Sequence, residues 1–490
     1  MFKTLFKDSV VFGVVNAIQK LIPFFIIPAV IAYLGQDALR VYDVSFAYAS
    51  LVSWLIILGQ DAATAVLFFD NQKNSFDKKQ VISYGFFLQL SCLLLFFCLA
   101  FPFSSFWSGV LFSKDAAVAT WLRIALLALP GQVLLNYALN VLLWQKRKVA
   151  YATLCLIQTA LSIAGVLIAL AVFNGGLPSL IYVIIGCTTV TGLTGLFFIR
   201  ESVFAAVFPV DTILVKKLFL LGIPFALTSF FHQLLPAIDR FFLIQYNYSQ
   251  QMGPYVLAVK LGSLINFAAG AFILAFTPYS LAKLNDEDAE KEIGHLFKMV
   301  SIASFFLVPF TLLFKDLLIE LFANRSFGLA ANLLPFFFWG WLFDLFSYFS
   351  TLGIYRSQKS FLALVLFGVG IVVVSFCNLL LIPSYGLYGA AISFCVSKAF
   401  LFFFSLAFLR KHFHLQIQYR SFFFSLLIGA GCSYLVYVLP LAVNIIVLGT
   451  LLVATTAYLR KHAFGSFFKK DKSKLSEENQ TLLQNNSSVL

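Results

Sequence analysis

Apolar residues along this chain neither alternate, as in a half-buried strand, nor mark one face of a helix. They come in runs of about twenty, the length at which one α-helix crosses the hydrocarbon of a bilayer. The runs fall near 10–34, 44–69, 81–103, 117–143, 149–173 and 180–198. A second set lies near 218–244, 255–276, 299–318, 333–355, 361–382 and 387–408, and a last pair near 421–438 and 441–458. The last run is short and abuts Pro440. The pattern predicts an all-α polytopic membrane protein of about fourteen transmembrane helices.

The polar stretches between runs test that count. Basic residues cluster at Lys78-Lys79, Lys146-Arg147-Lys148, Lys216-Lys217, Arg410-Lys411 and Arg460-Lys461. With both termini cytoplasmic, cytoplasmic segments hold about 25 Lys and Arg, external loops about 4 and spans about 5, the asymmetry of an inner-membrane protein. External loops are short and carry turn residues such as Asn174-Gly175-Gly176. Lys3 and Lys7 precede an apolar run that reaches Leu34 without a small-residue cleavage site, which reads as a retained first helix.

Three segments are plainly not membrane. Residues 199–217 mix apolar residues with charge, as an amphipathic surface helix does. Residues 279–298 are charged, and the tail 461–490 has the composition of a disordered segment. The expected organisation is a lobe of six helices over 1–198, a cytoplasmic linker over 199–217, and a second six-helix lobe over 218–408. A helix pair over 409–460 and the tail follow. A weak repeat supports the two lobes. Tyr42…Ser50-Leu51 recurs as Tyr255…Ser263-Leu264, and Lys148…Gly175 recurs as Lys359…Gly386. The repeats run parallel, a plan in which substrate paths lie between the halves.

Composition agrees. The chain is 61% hydrophobic and 11% charged, with 60 Phe, and its mean hydropathy is +0.93. Soluble domains carry about 25% charged residues, so water is not this chain's only solvent. The net charge of +13 lies in the loop clusters and is not a nucleic-acid signal. All seven cysteines sit in apolar runs without a CxxC spacing, and read as small core residues.

Candidate chemistry lies in ionisable residues inside the runs: Lys20, Asp61, Arg123, Asp239, Arg240, Lys260, Asp344 and Lys398. Each costs roughly 2.5–3.5 kcal/mol at a helix centre, and together on the order of 20 kcal/mol if they face lipid. That exceeds a typical net stability of about 5–15 kcal/mol, so most must face protein or a wet cavity. Internal pairing is one outcome: Asp239 with Lys260 or Arg240, and Asp344 with Lys398. Asp239 and Arg240 are helix neighbours and are expected to point apart. Five cations against three acids leave a net-basic lining of Lys20, Arg123, Arg240, Lys260 and Lys398, which suits an anionic substrate. Asp61, Asp239 and Asp344 are the candidates for carrying a coupling proton or sodium. His232, in the seventh span just before Pro236, reads as a core or kink-associated residue before a proton relay.

Enzyme signals are poor. Asp286-Glu287-Asp288 has the form of a metal-binding DxD but sits in a short charged loop, where a solvated cluster is the simpler reading. No GxxxxGK[ST] occurs, no external loop is large enough for a catalytic domain, and no metal or cofactor is called for. The sequons at Asn247 and Asn324 fall in external loops and read as chance matches.

The residues Lys7, Asp8, Ser9, Gly13, Ile22 and Pro23, followed by Leu34-Gly35 and Tyr42-Asp43, resemble the opening of bacterial O-antigen and polysaccharide repeat-unit flippases. These belong to the multidrug/oligosaccharidyl-lipid/polysaccharide exporter superfamily. Gly222, Pro224, Asp239-Arg240, Gly253-Pro254-Tyr255 and Lys260 are similar to that family's second-lobe opening. The most specific match is Asn378, Ile382-Pro383, Tyr385-Gly386 and Gly389-Ala390-Ala391 between the eleventh and twelfth helices. The resemblance covers roughly residues 5–410, strongly in the second lobe and diffusely in the first. It implies a MATE-like fold and, as substrate, a polyprenyl-diphosphate-linked oligosaccharide flipped from the cytoplasmic leaflet outward by alternating access. Glycan polymerase and chain-length machinery are the implied partners. Arg240 and Lys260 match family motif positions, whereas Lys20, Arg123 and Lys398 rest on depth and charge alone. A lipid II flippase or a multidrug or metabolite antiporter on the same fold, a membrane glycosyltransferase and a membrane scaffold are the competing readings.

Overall fold

The computed structural model of the chain describes residues 22–69, 76–205, 211–284, 288–323, 327–357 and 361–440, with isolated positions beside those runs. Among the described residues every regular element is helical. Eleven helices are long and apolar enough to cross a membrane. One, Ile22–Phe68, is 47 residues long and takes in the later part of the expected span 10–34 and nearly all of 44–69. The run expected at 441–458, the tail 461–490, Asn324 and Glu287 lie outside the described residues, apart from a few positions near Asn444.

The helices are α1 (Ile22–Ile57), α2 (Gln60–Phe68), α3 (Lys78–Leu95), α4 (Ser104–Leu111), α5 (Ala116–Ala125), α6 (Leu129–Trp144), α7 (Lys148–Leu167) and α8 (Gly176–Val203). After the linker come α9 (Thr212–Leu234), α10 (Ile238–Gln245), α11 (Met252–Gly262), α12 (Leu264–Lys283), α13 (Ala289–Leu313) and α14 (Lys315–Phe322). The last are α15 (Gly328–Ser350), α16 (Leu352–Ser357), α17 (Phe361–Tyr385), α18 (Leu387–Leu409) and α19 (Tyr419–Val438).

Two breaks shape the first half. The loop expected at 35–43 is not a loop. Gly35 alone leaves helical geometry (φ 80°), and the helix resumes at once. A glycine accepts this conformation without a Cβ clash, while the next residues carry no helix breaker. The second break is at Leu58 (φ 53°) and Gly59 (φ 63°), both left-handed, and α2 restarts at Gln60. In the second half the seventh span breaks at Pro236, whose missing N–H and ring interrupt the ladder between α9 and α10.

Close packing relies on small residues. A Cβ added at Gly131 would meet the backbone of Thr188, and one added at Gly192 would meet Gly131, so α6 and α8 approach at backbone distance. In the second half, Gly386 (φ 54°) makes the turn between α17 and α18. A Cβ at Gly389 would strike the Leu381 carbonyl. The family-like segment Asn378–Ala391 therefore builds a tight helical hairpin.

The chain forms two compact units. The first comprises Met1–Asp286 with Asp316–His414. The second comprises Glu287–Lys315 with Leu415–Leu490. Within the second, α13 lies against α19 through Phe422, whose ring is 5.7 Å from Phe297 and 5.3 Å from Phe305. A Cβ at Gly294 would meet the Gln416 backbone. Helix α13, inside the expected lobe 218–408, thus groups with α19.

The hairpin yields a prediction. Gly389→Leu should lower the thermal unfolding midpoint of the purified protein in detergent, reflecting overpacking of about 1–3 kcal/mol. An unchanged midpoint would contradict the packing described.

Candidate functional site: a buried ion network at a central cavity

A cavity of about 470 Å³ lies in the first unit between its two halves. Gln19, Phe24, Tyr42, Asp43, Phe46 and Ser50 line it from the first half. Gln233, Arg240, Lys260, Ser263, Asn266 and Trp341 line it from the second. Four aromatic rings and three carboxamides therefore face one space beside a cluster of charges.

The charges come from three helices. Asp43 sits on α1, eight residues past the Gly35 kink, and is buried. Arg240 lies in the first turn of α10, just after the break at Pro236. Its Nε donates to Asp43 Oδ2 at 2.7 Å, and Nη1 donates to the Pro236 carbonyl at 2.5 Å and to Asp239 Oδ1 at 3.2 Å. Lys260 on α11 reaches Asp43 Oδ1 at 3.0 Å. The Tyr255 hydroxyl, one and a half turns earlier on α11, donates to Asp239 Oδ2. The Pro236 break matters locally, because it frees the carbonyl that Arg240 takes. Asp239 also accepts from the Arg240 amide at 2.9 Å.

Exposure separates the two cations. The Arg240 side chain is 4% exposed, so its guanidinium is spent on the network. The Lys260 side chain is 32% exposed and opens toward the cavity. An ammonium has three hydrogens, and Asp43 takes one direction of them.

The remaining sequence candidates lie elsewhere. Lys398 on α18 pairs with Asp344 on α15 at 2.6 Å, and its ammonium stands 5.5 Å from the Trp341 ring centroid. Trp341 itself lines the cavity, whereas Lys398 and Asp344 do not. His232 packs edge-on to Phe367, with ring centroids 5.0 Å apart. Arg123 is exposed on α5 and does not line the cavity. Asp61 lies at the Leu58–Gly59 break, also off the cavity. Lys20 lies outside the described residues.

Of the five expected cations, Arg240 and Lys260 line the cavity, and Arg123 and Lys398 do not. Arg240, Lys260 and Asp43 line the cavity, two cations against one carboxylate, while Asp239 lies behind Arg240 and off the lining. Asp43 lies one residue before the expected span 44–69, in a stretch that the structure makes helical from just after Gly35. Asp239 and Arg240, expected to point apart, share one cluster because the long guanidinium folds back to its neighbour.

A second network joins the halves at the end that the charge pattern assigns to the outside. Arg40 on α1 donates to Asp115 and to Ser249, and Ser249 also donates to Asp115. Asp115 caps α5 by accepting from Val118 at 3.2 Å. Gln245 Nε2 donates to the Leu111 carbonyl at 3.0 Å, and Tyr48 to the Ala237 carbonyl at 3.3 Å. Among these residues only polar loop composition was visible beforehand.

Comparison with known proteins identifies the architecture. The chain matches no protein-family profile. It is 23% identical over 337 residues to Lsg locus protein 1 of Haemophilus influenzae, covering 66% of this chain and 78% of that one. The structure is similar to the lipid II flippase MurJ in an inward closed conformation, with TM-score 0.70 and 12% identity over 92% of this chain and 99% of that chain. It is also similar to an inward-facing multidrug resistance MATE transporter of the MOP superfamily, with TM-score 0.64 and 14% identity over 85% and 96%.

Removing one partner of the network should be costly. Asp43→Leu leaves a buried guanidinium without its main counter-ion, at about 3–5 kcal/mol, and adding Arg240→Met should recover much of that loss. Thermal midpoints of the single and double variants in detergent check this; strictly additive losses would contradict the coupling. This chain is a multi-pass membrane protein with the MATE-like fold that transporters and a lipid II flippase share.

Proposed function

We propose that the protein is a flippase for a polyprenyl-diphosphate-linked oligosaccharide, such as an O-antigen or other polysaccharide repeat unit, working by alternating access in the inner membrane. The composition of the cavity wall carries this reading. Gln19, Gln233 and Asn266 offer carboxamides, Ser50 and Ser263 offer hydroxyls, and Tyr42, Phe46 and Trp341 offer ring faces. Sugar hydroxyls need donors and acceptors in place of water, since each unpaired polar group in hydrocarbon costs several kcal/mol. Sugar C–H faces pack on aromatic rings.

Lys260 supplies the charge. Its exposed ammonium, steered by Asp43, meets a diphosphate as a compact point charge. Arg240 stays on the network and holds Asp43, so its role is to position Lys260. The lipid tail remains in the bilayer while the head occupies the cavity, and parting of the halves at the Arg40–Asp115–Ser249 cluster opens the outer side. Handover to a glycan polymerase and chain-length machinery follows on this reading. An organic-cation antiporter fits less well, because the carboxylate at the cavity, Asp43, is already held by Arg240 and Lys260. The shared fold with a lipid II flippase supports a lipid-linked saccharide as the substrate class.

Deleting the protein should strand completed repeat units on the cytoplasmic leaflet, read by leaflet-resolved analysis of lipid-linked sugars. Intact glycan export, in a strain without a redundant flippase, would overturn the proposal. Lys260→Gln should leave thermal stability close to wild type. It should slow flipping about tenfold to a hundredfold, the loss of one charged hydrogen bond of roughly 1.5–3 kcal/mol.

A further inference from the structure

Exposed cations gather at one end of the first unit, and none of them lines the cavity. They include Lys78 and Lys79 at the start of α3, Lys146 and Arg147 in the turn after α6, and Lys216 and Lys217 near the start of α9. Contacts between the segments that carry them show that these clusters converge. Gln145 donates to the Ser202 hydroxyl and Arg147 to the Phe198 carbonyl, each at 2.7 Å, which ties the α6–α7 turn to α8. Ser83 on α3 donates to the Val203 carbonyl at 2.6 Å. The Asp211 amide, at the head of α9, donates to the Tyr84 hydroxyl at 3.1 Å. Lys78 Nζ lies 5.1 Å from the Phe68 ring centroid, and Lys217 Nζ lies 5.4 Å from that of Phe76, two residues before Lys78. The Phe68 ring stands 6.2 Å from that of Trp144, the last residue of α6.

Helix stability does not account for the gathering. Lys146 and Arg147 suit the end of α6, but Lys78 and Lys79 occupy the first turn of α3, where the macrodipole disfavours a cation. The nearby acids do not neutralise them. Asp77 accepts from the Lys79 amide at 3.4 Å, and Asp211 accepts from the Ile213 and Leu214 amides at 2.9 and 3.1 Å, so each caps its own helix. Glu201 is exposed at the same end. Among the described residues none of the six cations forms an ion pair with a carboxylate. Membrane insertion with the basic side inward asks for cations in each loop. It does not ask that they converge with their charges uncompensated.

The neighbours of these cations point to the partner. Leu220 is four residues from Lys216 and three from Lys217, and Phe219 is three from Lys216, so they share faces of α9. Both are exposed, as are Leu143, three residues before Lys146, and Phe69 beside Phe68. Exposed apolar side chains on a membrane-spanning helix meet acyl chains, which leaves the cations at headgroup level one turn further out. A soluble acidic partner would match the charge and leave the apolar belt unused. We infer that this basic end of the first unit binds an anionic phospholipid of the leaflet it faces. Its phosphate sits on Lys78, Lys216 and Lys217, and its acyl chains lie along Phe219 and Leu220. The charge pattern assigns this end to the cytoplasm, the side on which anionic lipids attract basic clusters. Helices α3 and α6 belong to the first half and α9 to the second, so one bound lipid touches both. The inference does not depend on what the cavity carries.

The test uses the full-length protein, delipidated in a neutral detergent and free of lipid-linked sugar. Phosphatidylglycerol and phosphatidylcholine with the same acyl chains are titrated in, and bound lipid is read by native mass spectrometry alongside the thermal midpoint. Wild type should hold phosphatidylglycerol about tenfold or more tightly than phosphatidylcholine and gain stability from it alone. The preference should shrink as salt rises. Lys78→Gln, Lys216→Gln and Lys217→Gln combined should weaken phosphatidylglycerol binding about tenfold to a hundredfold. Arg410→Gln with Lys411→Gln, exposed cations of another loop, should leave it unchanged. Equal binding of the two lipids by wild type overturns the inference. So does a triple variant that binds as wild type does, or an Arg410/Lys411 variant that loses as much. Competition by free glycerol phosphate at the lipid's own concentration would assign the cations a soluble phosphate and also overturn it. If the triple variant does not fold, the lipid preference of wild type and the single Lys217→Gln variant decide the matter.

Discussion

A guanidinium at membrane depth is tolerated when carboxylates come with it, because hydrocarbon does not solvate its charge. Arg240 holds two, and the helices that bring them cannot be placed independently. Asp43 arrives on α1 and Asp239 on Arg240's own turn. Lys260, from α11, then fixes the second oxygen of Asp43. Three helices from both halves of the first unit are therefore registered against one another by a few ångströms of ionic contact. The cavity beside them owes its outline to that register.

The breaks that make this possible each have a local cause. Gly35 gives α1 a joint without ending it, which carries Asp43 to depth. Pro236 stops α9 and offers its own carbonyl to the arginine four residues later. Gly59 and its left-handed neighbour Leu58 divide the second span and bring Gln60 to the α9 backbone. Buried polar contacts in this molecule gather where regular helix fails, since there backbone polar groups escape the intrahelical ladder.

The fold was largely legible from the chain, because runs of about twenty apolar residues with basic ends admit few alternatives in a membrane. The Asp344–Lys398 pair was also within reach, as two central charges of opposite sign that lipid would not tolerate singly. Asp43 escaped notice because a glycine followed by Gln, Asp and Arg reads as a loop. What signalled otherwise was the lack of any second breaker from residue 36 to 57. Arg123 is exposed and off the cavity, and an apolar run without clear periodicity does not reveal which face a charge occupies. The Arg40–Asp115–Ser249 cluster joins residues more than 200 positions apart at its extremes, which no local pattern records.

The crossing of α9 over the Leu58–Gly59 break carries an evolutionary corollary. A methyl on Gly59 would strike the Gly222 carbonyl, and one on Gly222 would strike the Leu58 carbonyl and the Gln60 amide. Each position is closed by backbone of the other segment, so a lineage that keeps this crossing should inherit both hydrogens.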